Sequence, residues 1–170
     1  MNVFVTNKFP AESAIVLPDK LVVKMPVETC QMLAIVASDW YHNYGPLHKK
    51  DGNPYATEKG AFRNHPCVLW TTKSIDNAYW LIKHGMNLCD EFHLRYGKPH
   101  SCYNTLLGAY YLFPKGKIDK VTPFVRAMPD EIKLDATINT FDAYKKYINS
   151  KTWVRDNYLR MPQRKPEWIN

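Results

Sequence analysis

The segment from Ser74 to Gly97 constrains the fold more than any other, because it predicts a long helix with a signal at each end. Ser74 is a suitable N-cap, and the apolar residues after it recur every three or four positions, as on one side of a helix. Gly97 and the proline that follows end the pattern. Asn77, His84 and Glu91 share a polar stripe beside the apolar one. That stripe is either a solvated face or a binding surface.

A second helix is predicted for the stretch that begins near Asp19 and runs to Ala37. Pro26 lies inside it and predicts a kink or a fresh start. Beyond this proline the residues are apolar nearly all round, so the helix is buried. Glu28 lies on its opening turn, where it either pairs with Lys24 one turn earlier or serves in chemistry. The first seven residues are too few for more than an extended arm or an edge strand.

The rest of the chain predicts long loops and further helices. Residues 40–66 carry three glycines, three prolines and five aromatic residues, a composition typical of a long ordered loop with a functional role. Helices are predicted over 101–113 and 135–160, and no β-hairpin or repeat is evident. A chain of 170 residues that is 45% hydrophobic can form one compact domain. We therefore expect a mostly α fold, a single compact helical domain over residues 1–170 with a short extended N-terminal arm.

The net positive charge of the chain indicates an acidic binding partner. The net charge is +7, and the basic C-terminal segment, residues 151–170, has five Lys or Arg between Lys151 and Lys165 against one acid. Such a density favours contact with a phosphate backbone. The aromatic residues of the same segment allow the alternative that it is pinned to the core.

Several classes of protein are disfavoured by the motifs that the sequence lacks. It has no phosphate-binding glycine loop, dinucleotide fingerprint, nucleophile elbow or zinc-protease helix. Its four cysteines are scattered and form no recognisable disulfide or zinc pattern, which predicts reduced core residues. We predict no metal and no cofactor. The start lacks the pattern of a secretion signal, and no apolar stretch is long enough to cross a bilayer, so we expect a cytoplasmic protein with no membrane partner.

In the order of its features the chain resembles phage proteins of the pyrimidine-dimer DNA glycosylase group, the endonuclease V type with an all-α fold. The resemblance rests on the N-terminal arm and on the segments "DKLVVKMPVETCQML", "NHP", "SIDNAYWLIKHGMNLCDEF" and "RYGKPH". It covers roughly the first 105 residues, with looser similarity at "AMPDEIK" and "PEW". It implies an enzyme of the infected host cell's cytoplasm that binds double-stranded DNA and flips a damaged or modified pyrimidine into a pocket.

The resemblance also implies the catalytic groups. In this group an N-terminal α-amine attacks the sugar carbon and forms an imine, and a glutamate on the first long helix assists. Here the amine would belong to Met1 or Asn2, and the glutamate would be Glu28, nine residues after Asp19. The bulky Asn2 favours retention of Met1, which makes the arm one residue longer than in the group. The histidine expected two residues after Asp19 is Leu21.

Contacts to DNA are predicted from basic, polar and aromatic residues around these elements. Basic side chains would hold phosphates, and Trp70 or Trp80 would fill the space left by the flipped base. The full set of predicted DNA contacts is Lys20, Lys24, Arg63, Asn64, His65, Trp70, Asn77, Trp80, His84, Arg95, Lys98 and His100.

Three functions therefore remain open from the sequence. The first is a DNA glycosylase with abasic-site lyase activity. The second is a non-lyase DNA-binding protein or modified-base transferase on the same fold, which Leu21 and a retained Met1 favour. The third is a phage factor that binds a nucleotide or a host protein, which the aromatic loop at 40–66 would suit. The sequence assigns no oligomeric state.

Overall fold

The fold is built around two long helices, α2 (Asp19–Ala37) and α4 (Ile75–Tyr96), that pack against each other. The computed structural model describes residues 1–170 and confirms the mostly α prediction, since it has no strand. None of its helices combines the length and apolar character that crossing a membrane requires. The α-helices are α1 (Pro10–Ile15), α2 (Asp19–Ala37), α3 (Pro66–Thr72), α4 (Ile75–Tyr96), α5 (Tyr103–Leu112), α6 (Asp130–Lys133) and α7 (Thr140–Asn149), with 3₁₀ turns at Ile118–Lys120 and Pro162–Arg164.

Helix α4 begins and ends where the sequence predicts. The Ser74 hydroxyl accepts a hydrogen bond from the backbone N–H of Asn77 (3.1 Å), and Gly97 ends the helix with φ of 67°, in the left-handed region. Gly85 is the point of closest approach to the neighbouring helices. A methyl group there would lie 2.8 Å from Thr29 of α2 and 3.0 Å from Leu106 of α5. The glycine therefore allows three helices to pack together.

Helix α2 continues through Pro26, so of the two outcomes predicted there, a kink or a fresh start, the fresh start does not occur. Proline removes one helical hydrogen bond and crowds the preceding turn. Val22 and Met25 before the proline and Thr29 and Cys30 after it are all buried. We infer that burial of the same face on both sides of Pro26 outweighs the lost bond.

Helix α7 is shorter than predicted, because it ends at Asn149 rather than near residue 160. The chain beyond it is held by contacts with α2 that a helix could not make. The backbone oxygen of Asn157 accepts from the N–H of Asp19 (2.8 Å), and its side-chain oxygen accepts from the N–H of Lys20 (2.8 Å). The C-terminal segment therefore caps the start of α2, and tertiary contacts override local helix propensity.

The basic C-terminal segment is pinned to the core, the second of the two interpretations of its composition. Tyr158 is buried and its hydroxyl donates to the carbonyl of Val16 (2.7 Å). Arg164 pairs with Glu91 at 2.8 Å, and the Arg160 guanidinium lies over the ring of Tyr96. The Lys151 ammonium also lies over the ring of Tyr147, so three of its five predicted cations are engaged within the protein.

Arg95 joins α1, α2 and α4 at the centre of this region. Its side chain is fully buried, and its guanidinium donates to the carbonyls of Ile15 (3.0 Å) and Leu17 (2.8 Å). It also contacts the carboxylates of Asp19 (3.1 Å) and Glu91 (3.0 Å). Arg95 is therefore not available for its predicted contact with DNA in this structure, because all of its side-chain N–H groups donate inside the protein.

We expect Arg95→Met to lower the free energy of unfolding by about 3–5 kcal/mol, because it leaves the buried Asp19 carboxylate without a cation and Glu91 with Arg164 alone. Arg164→Met removes a half-exposed partner of the same Glu91 and should cost only about 1 kcal/mol. Urea denaturation of the two variants and the wild type measures both effects. Equal losses would contradict the central role of Arg95.

Candidate functional site

The start of the chain meets Glu28 in a nearly buried position. The Glu28 side chain is only 10% exposed, and its Oε2 accepts from the backbone N–H of Asn2 (2.9 Å) and lies 3.6 Å from the α-amine of Met1. Its Oε1 pairs with Lys24 at 3.0 Å, one helical turn earlier. A buried carboxylate requires such partners, since an isolated charge there would be costly. The arrangement places an amine, a carboxylate and a lysine within one small volume.

Two distant parts of the chain fix the N-terminal arm. The Asn2 side chain accepts from the N–H groups of Val3 (2.7 Å) and Phe4 (3.1 Å) and donates to the carbonyl of Ala127 (2.6 Å). Phe4 has φ of 44°, an unusual value for a residue with a side chain, and its ring stacks on Tyr147 at 5.7 Å. The contacts to Ala127 and Tyr147 hold the arm in this strained form.

A small, mostly apolar cavity of about 170 Å³ lies beside the amine. Met1 and Ile35 form part of its wall, Tyr55 another part, and Phe62 lies at its edge. Phe62 is 62% exposed and has φ of 63°, so an aromatic ring is displayed to solvent from a strained backbone. Strain of this kind is often retained at functional sites. Phe62 was missed from the sequence, although it belongs to the loop predicted to be functional.

A larger cleft of about 470 Å³ adjoins the same face of α2. Val27 and the side chains of Lys49 and Lys50 line it, and Tyr55 borders both this cleft and the cavity beside Met1. The two lysines give the cleft a positive character. They too were missed, and the adjacent pair within a long loop is the only sequence signal that could have found them.

His65 lies close enough to the site for the charges of Met1 and Glu28 to affect its pKa. It caps α3, and its Nδ1 accepts from the N–H of Cys67 (3.2 Å). Burial lowers the pKa of His65, and the positive charge of the Met1 amine lowers it further, while Glu28 opposes the shift. The ring is therefore neutral at pH 7, with Nε2 carrying the proton.

The structure divides the twelve predicted DNA contacts into two groups. One group lies on the surface or is half-buried, and six residues belong to it: Lys20, Lys24, Arg63, Asn64, His65 and Lys98. The other is buried: Trp70, Asn77, Trp80, His84, Arg95 and His100. Of all twelve, Lys24 and His65 have a contact or charge interaction that links them directly to Glu28 or the amine.

Trp70 and Trp80 lie in the hydrophobic core, so the prediction that one of them fills the space of a flipped base is not compatible with this structure. Their rings pack edge to face at 6.1 Å, and both contact Phe124. The indole N–H of Trp80 donates to the carbonyl of Lys8 (2.7 Å). Each ring is 2% exposed or less.

The polar residues of α4 and its C-terminal end tie other helices to α4 instead of facing DNA. Asn77 donates to the carbonyl of Trp70 (2.7 Å), and His84 donates through Nδ1 to the carbonyl of Pro10 (3.0 Å). Burial lowers the pKa of His84 to about 4, so its ring carries no charge for a phosphate. His100 donates to the carbonyl of Val23 (3.0 Å). The polar stripe is thus neither solvated nor a binding surface.

Comparison with known proteins gives one match. The family model described as pyrimidine dimer DNA glycosylase matches residues 1–104, more than half of the chain. The matched part contains the arm, Glu28, both lysines of the cleft and all of α4. No significant match was found among the curated proteins or the solved structures.

We expect Asn2→Leu to release the arm and lower the free energy of unfolding by about 1–3 kcal/mol, because it removes three hydrogen bonds from a buried side chain. Leucine is bulky enough to favour retention of Met1, so the chain start stays the same. Hydrogen exchange should accelerate at Val3 and Phe4. Asn7→Leu is the matched control, since Asn7 accepts a single exposed bond, and protection equal to wild type in Asn2→Leu would contradict the assignment.

Proposed function

The chain belongs to the pyrimidine dimer DNA glycosylase family, and on that premise we propose that it removes a damaged or modified pyrimidine from duplex DNA and then cleaves the abasic site. Membership of this family indicates a glycosylase-type function on DNA. The observation that carries the finer proposal is the distance of 3.6 Å between the α-amine and the Glu28 carboxylate, beside a cavity.

The chemistry follows from the neutral form of the amine. Its lone pair forms a bond to C1′ of the flipped nucleotide, and the glycosidic bond breaks. The base leaves with the electron pair of the glycosidic bond and takes up a proton that the amine has lost. Loss of a second proton from the nitrogen and opening of the sugar ring give an imine. Glu28 is positioned to accept a proton from the amine and to stabilise the positive charge that develops on the sugar. Elimination of the 3′ phosphate would then cut the strand.

Either of two nitrogens can be the nucleophile, depending on whether the initiator methionine is kept. With Met1 present, its amine lies 3.6 Å from Glu28, and the nitrogen of Asn2 is an amide. Without Met1, the nitrogen of Asn2 becomes the amine, and it already lies 2.9 Å from the same oxygen. Intact mass of the purified protein identifies the nucleophile in advance of any activity assay.

His65 is a candidate to take over the role of the histidine that the resemblance implies two residues after Asp19, where this chain has Leu21. Leu21 is buried and cannot contact phosphate or move a proton. His65 interacts with the charges of both Met1 and Glu28, and its neutral ring keeps an N–H at Nε2. We propose that this N–H donates to a phosphate or sugar oxygen of the flipped nucleotide.

The DNA strand is proposed to run along the exposed face of α2 and the loop at 40–66. Lys24 there is 63% exposed and Lys49 is 45% exposed, and Lys50 lines the same cleft. Phe62, rather than Trp70 or Trp80, is the aromatic residue displayed beside the cavity and able to stack on a base.

A second candidate function is DNA binding without the lyase step. The observation that favours it is the Met1 side chain, which is only 4% exposed and occupies the wall of the cavity. If Met1 stays, a base must displace it to reach the amine. A DNA-binding protein or a modified-base transferase would not need that displacement.

Borohydride trapping on duplex DNA tests the first function. Wild type should give a covalent adduct at the N-terminal peptide with an abasic site, and Glu28→Gln should lose base release by at least about a hundredfold, because proton transfer and charge stabilisation are both weakened. Glu12→Gln, an exposed carboxylate on α1, is the matched control and should leave the activity unchanged. DNA binding without any adduct in wild type would favour the second function.

Lys49 and Lys50 should contribute to DNA affinity through phosphate contacts. We expect the double substitution Lys49→Ala/Lys50→Ala to weaken binding at low salt and to reduce the slope of log K against log salt by about 2. Lys145→Ala/Lys146→Ala is the matched control, because it is an adjacent lysine pair on α7 that does not line the cleft. An unchanged slope in the cleft variant would place the DNA elsewhere.

A further inference from the structure

Three tyrosines form a patch on α4 and α5, outside the site described above. The ring centroids of Tyr79 on α4 and Tyr110 on α5 are 6.1 Å apart. Tyr111 packs edge to face on Tyr110 at 5.6 Å and is 75% exposed. Single exposed aromatic residues are common on protein surfaces, but here the exposed ring is supported by a cluster of the same kind. The ring of Tyr111 is therefore displayed in a defined orientation.

Lysines from two elements surround this tyrosine patch. The Lys115 ammonium lies 3.4 Å from the ring centroid of Tyr110 and 5.6 Å from that of Tyr111. The Lys83 ammonium, from α4, lies 5.4 Å from the centroid of Tyr110. Attraction between an ammonium group and an aromatic ring keeps both cations at the patch.

The loop that carries Lys115 and Lys117 is fixed against the start of α4. The backbone N–H of Lys117 donates to the carboxylate of Asp76 (2.6 Å). Gly116 packs so closely that a methyl group there would lie 2.8 Å from Asp76 and 2.9 Å from Tyr79. The backbone therefore holds both lysines next to the tyrosines.

The charges of these lysines are available to a partner. Lys83, Lys115 and Lys117 form no ion pair with a carboxylate, whereas Lys49 of the cleft pairs with Asp51. Lys115 and Lys117 are exposed. Three unpaired cations beside a cluster of rings give a surface that attracts an anion with flat apolar groups.

We propose that this surface binds single-stranded DNA, with one base stacked on the ring of Tyr111. The neighbouring phosphates would contact Lys83, Lys115 and Lys117. In a duplex the faces of each base are covered by the next base pair, so only an unpaired strand can offer a base to the tyrosine. An acidic peptide would match the charge but would leave Tyr111 without a flat partner. The family acts on DNA, which favours DNA over RNA.

This surface is separate from the duplex site proposed above. The amine and Glu28 belong to the N-terminal arm and α2, whereas the tyrosine patch belongs to α4 and α5. Tyr110, Tyr111 and Lys115 lie beyond residue 104, where the match to the glycosylase family ends. Binding of a single strand here requires neither the amine nor Glu28, and it can be measured without catalysis.

Fluorescence anisotropy of a labelled oligothymidylate of about ten nucleotides, mixed with the purified full chain, tests the role of the ring. Tyr111→Ala should weaken binding by roughly tenfold, because it removes the stacking surface. Tyr111→Phe should bind like wild type, since stacking needs the ring and not the hydroxyl. Phe9→Ala is the matched control, because Phe9 is a 50% exposed ring beneath Lys8 but lies outside the patch.

The salt dependence of the same binding tests the phosphate contacts. The triple substitution Lys83→Gln/Lys115→Gln/Lys117→Gln should reduce the slope of log K against log salt by about 2. The cleft variant Lys49→Ala/Lys50→Ala should bind oligothymidylate like wild type, because its substitutions lie at the duplex site.

Unchanged affinity in Tyr111→Ala would overturn the proposal. So would a loss of oligothymidylate binding in the cleft variant, or equal affinity for a sugar-phosphate oligomer that has no bases. Tighter binding of polyglutamate or of oligouridylate would assign the surface to an acidic protein or to RNA, and would overturn the choice of DNA. Failure of imine trapping at the N-terminal amine would change none of these results, so the two proposals can fail separately.

Discussion

The buried guanidinium of Arg95 is the interaction on which the positions of the other parts depend. It binds the carbonyls of Ile15 and Leu17, where α1 ends, and the carboxylate of Asp19, where α2 begins. The turn between the two helices is therefore fixed against α4. Because α2 is one continuous helix from Asp19, its start also determines the direction in which Glu28 points, two and a half turns later.

The site itself is assembled from segments that are far apart in the chain. The matched part of the chain ends at residue 104, but the arm that presents the amine is held by Ala127 and Tyr147. Tyr144 supports the same segment, since its hydroxyl donates to the carbonyl of Val125 (2.8 Å) and accepts from the N–H of Ala127 (3.3 Å). The region after residue 104 thus helps to position the N-terminal amine beside Glu28.

Local signals predicted the helices well where capping and periodicity agreed, and failed where tertiary contacts decided. Ser74 and Gly97 bounded α4 correctly, whereas α7 ends early because Asn157 is needed at the start of α2. Glu28 stood out from the sequence as a carboxylate among apolar residues. Phe62 did not, because exposure and a positive φ arise only in the folded loop.

Residue type was a poor guide to which polar groups face outward. Asn77, His84 and Arg95 look like binding residues on a helical stripe, but their partners are backbone carbonyls of loops and helix ends. The carbonyls that His84 and Arg95 bind lie 74 and 78 residues away in sequence, so no spacing rule could have paired them with α4. A buried polar side chain and a solvent-facing one follow the same helical period, and only the long-range fold distinguishes them.

The positive charges also divide into those that are used inside the protein and those that lie on its surface. Arg95 and Arg164 neutralise buried carboxylates, and Arg160 covers Tyr96, so these cations add little to an outward field. The side chains of Lys24 and Lys49 are more exposed, at 63% and 45%, although each also pairs with a carboxylate, Glu28 and Asp51 respectively. A phosphate drawn to this face would meet the lysines before it reached the amine. The charge of Glu28 is balanced by Lys24 and by the Met1 amine, so Lys49 and Lys50 of the cleft determine the sign of the field on this face.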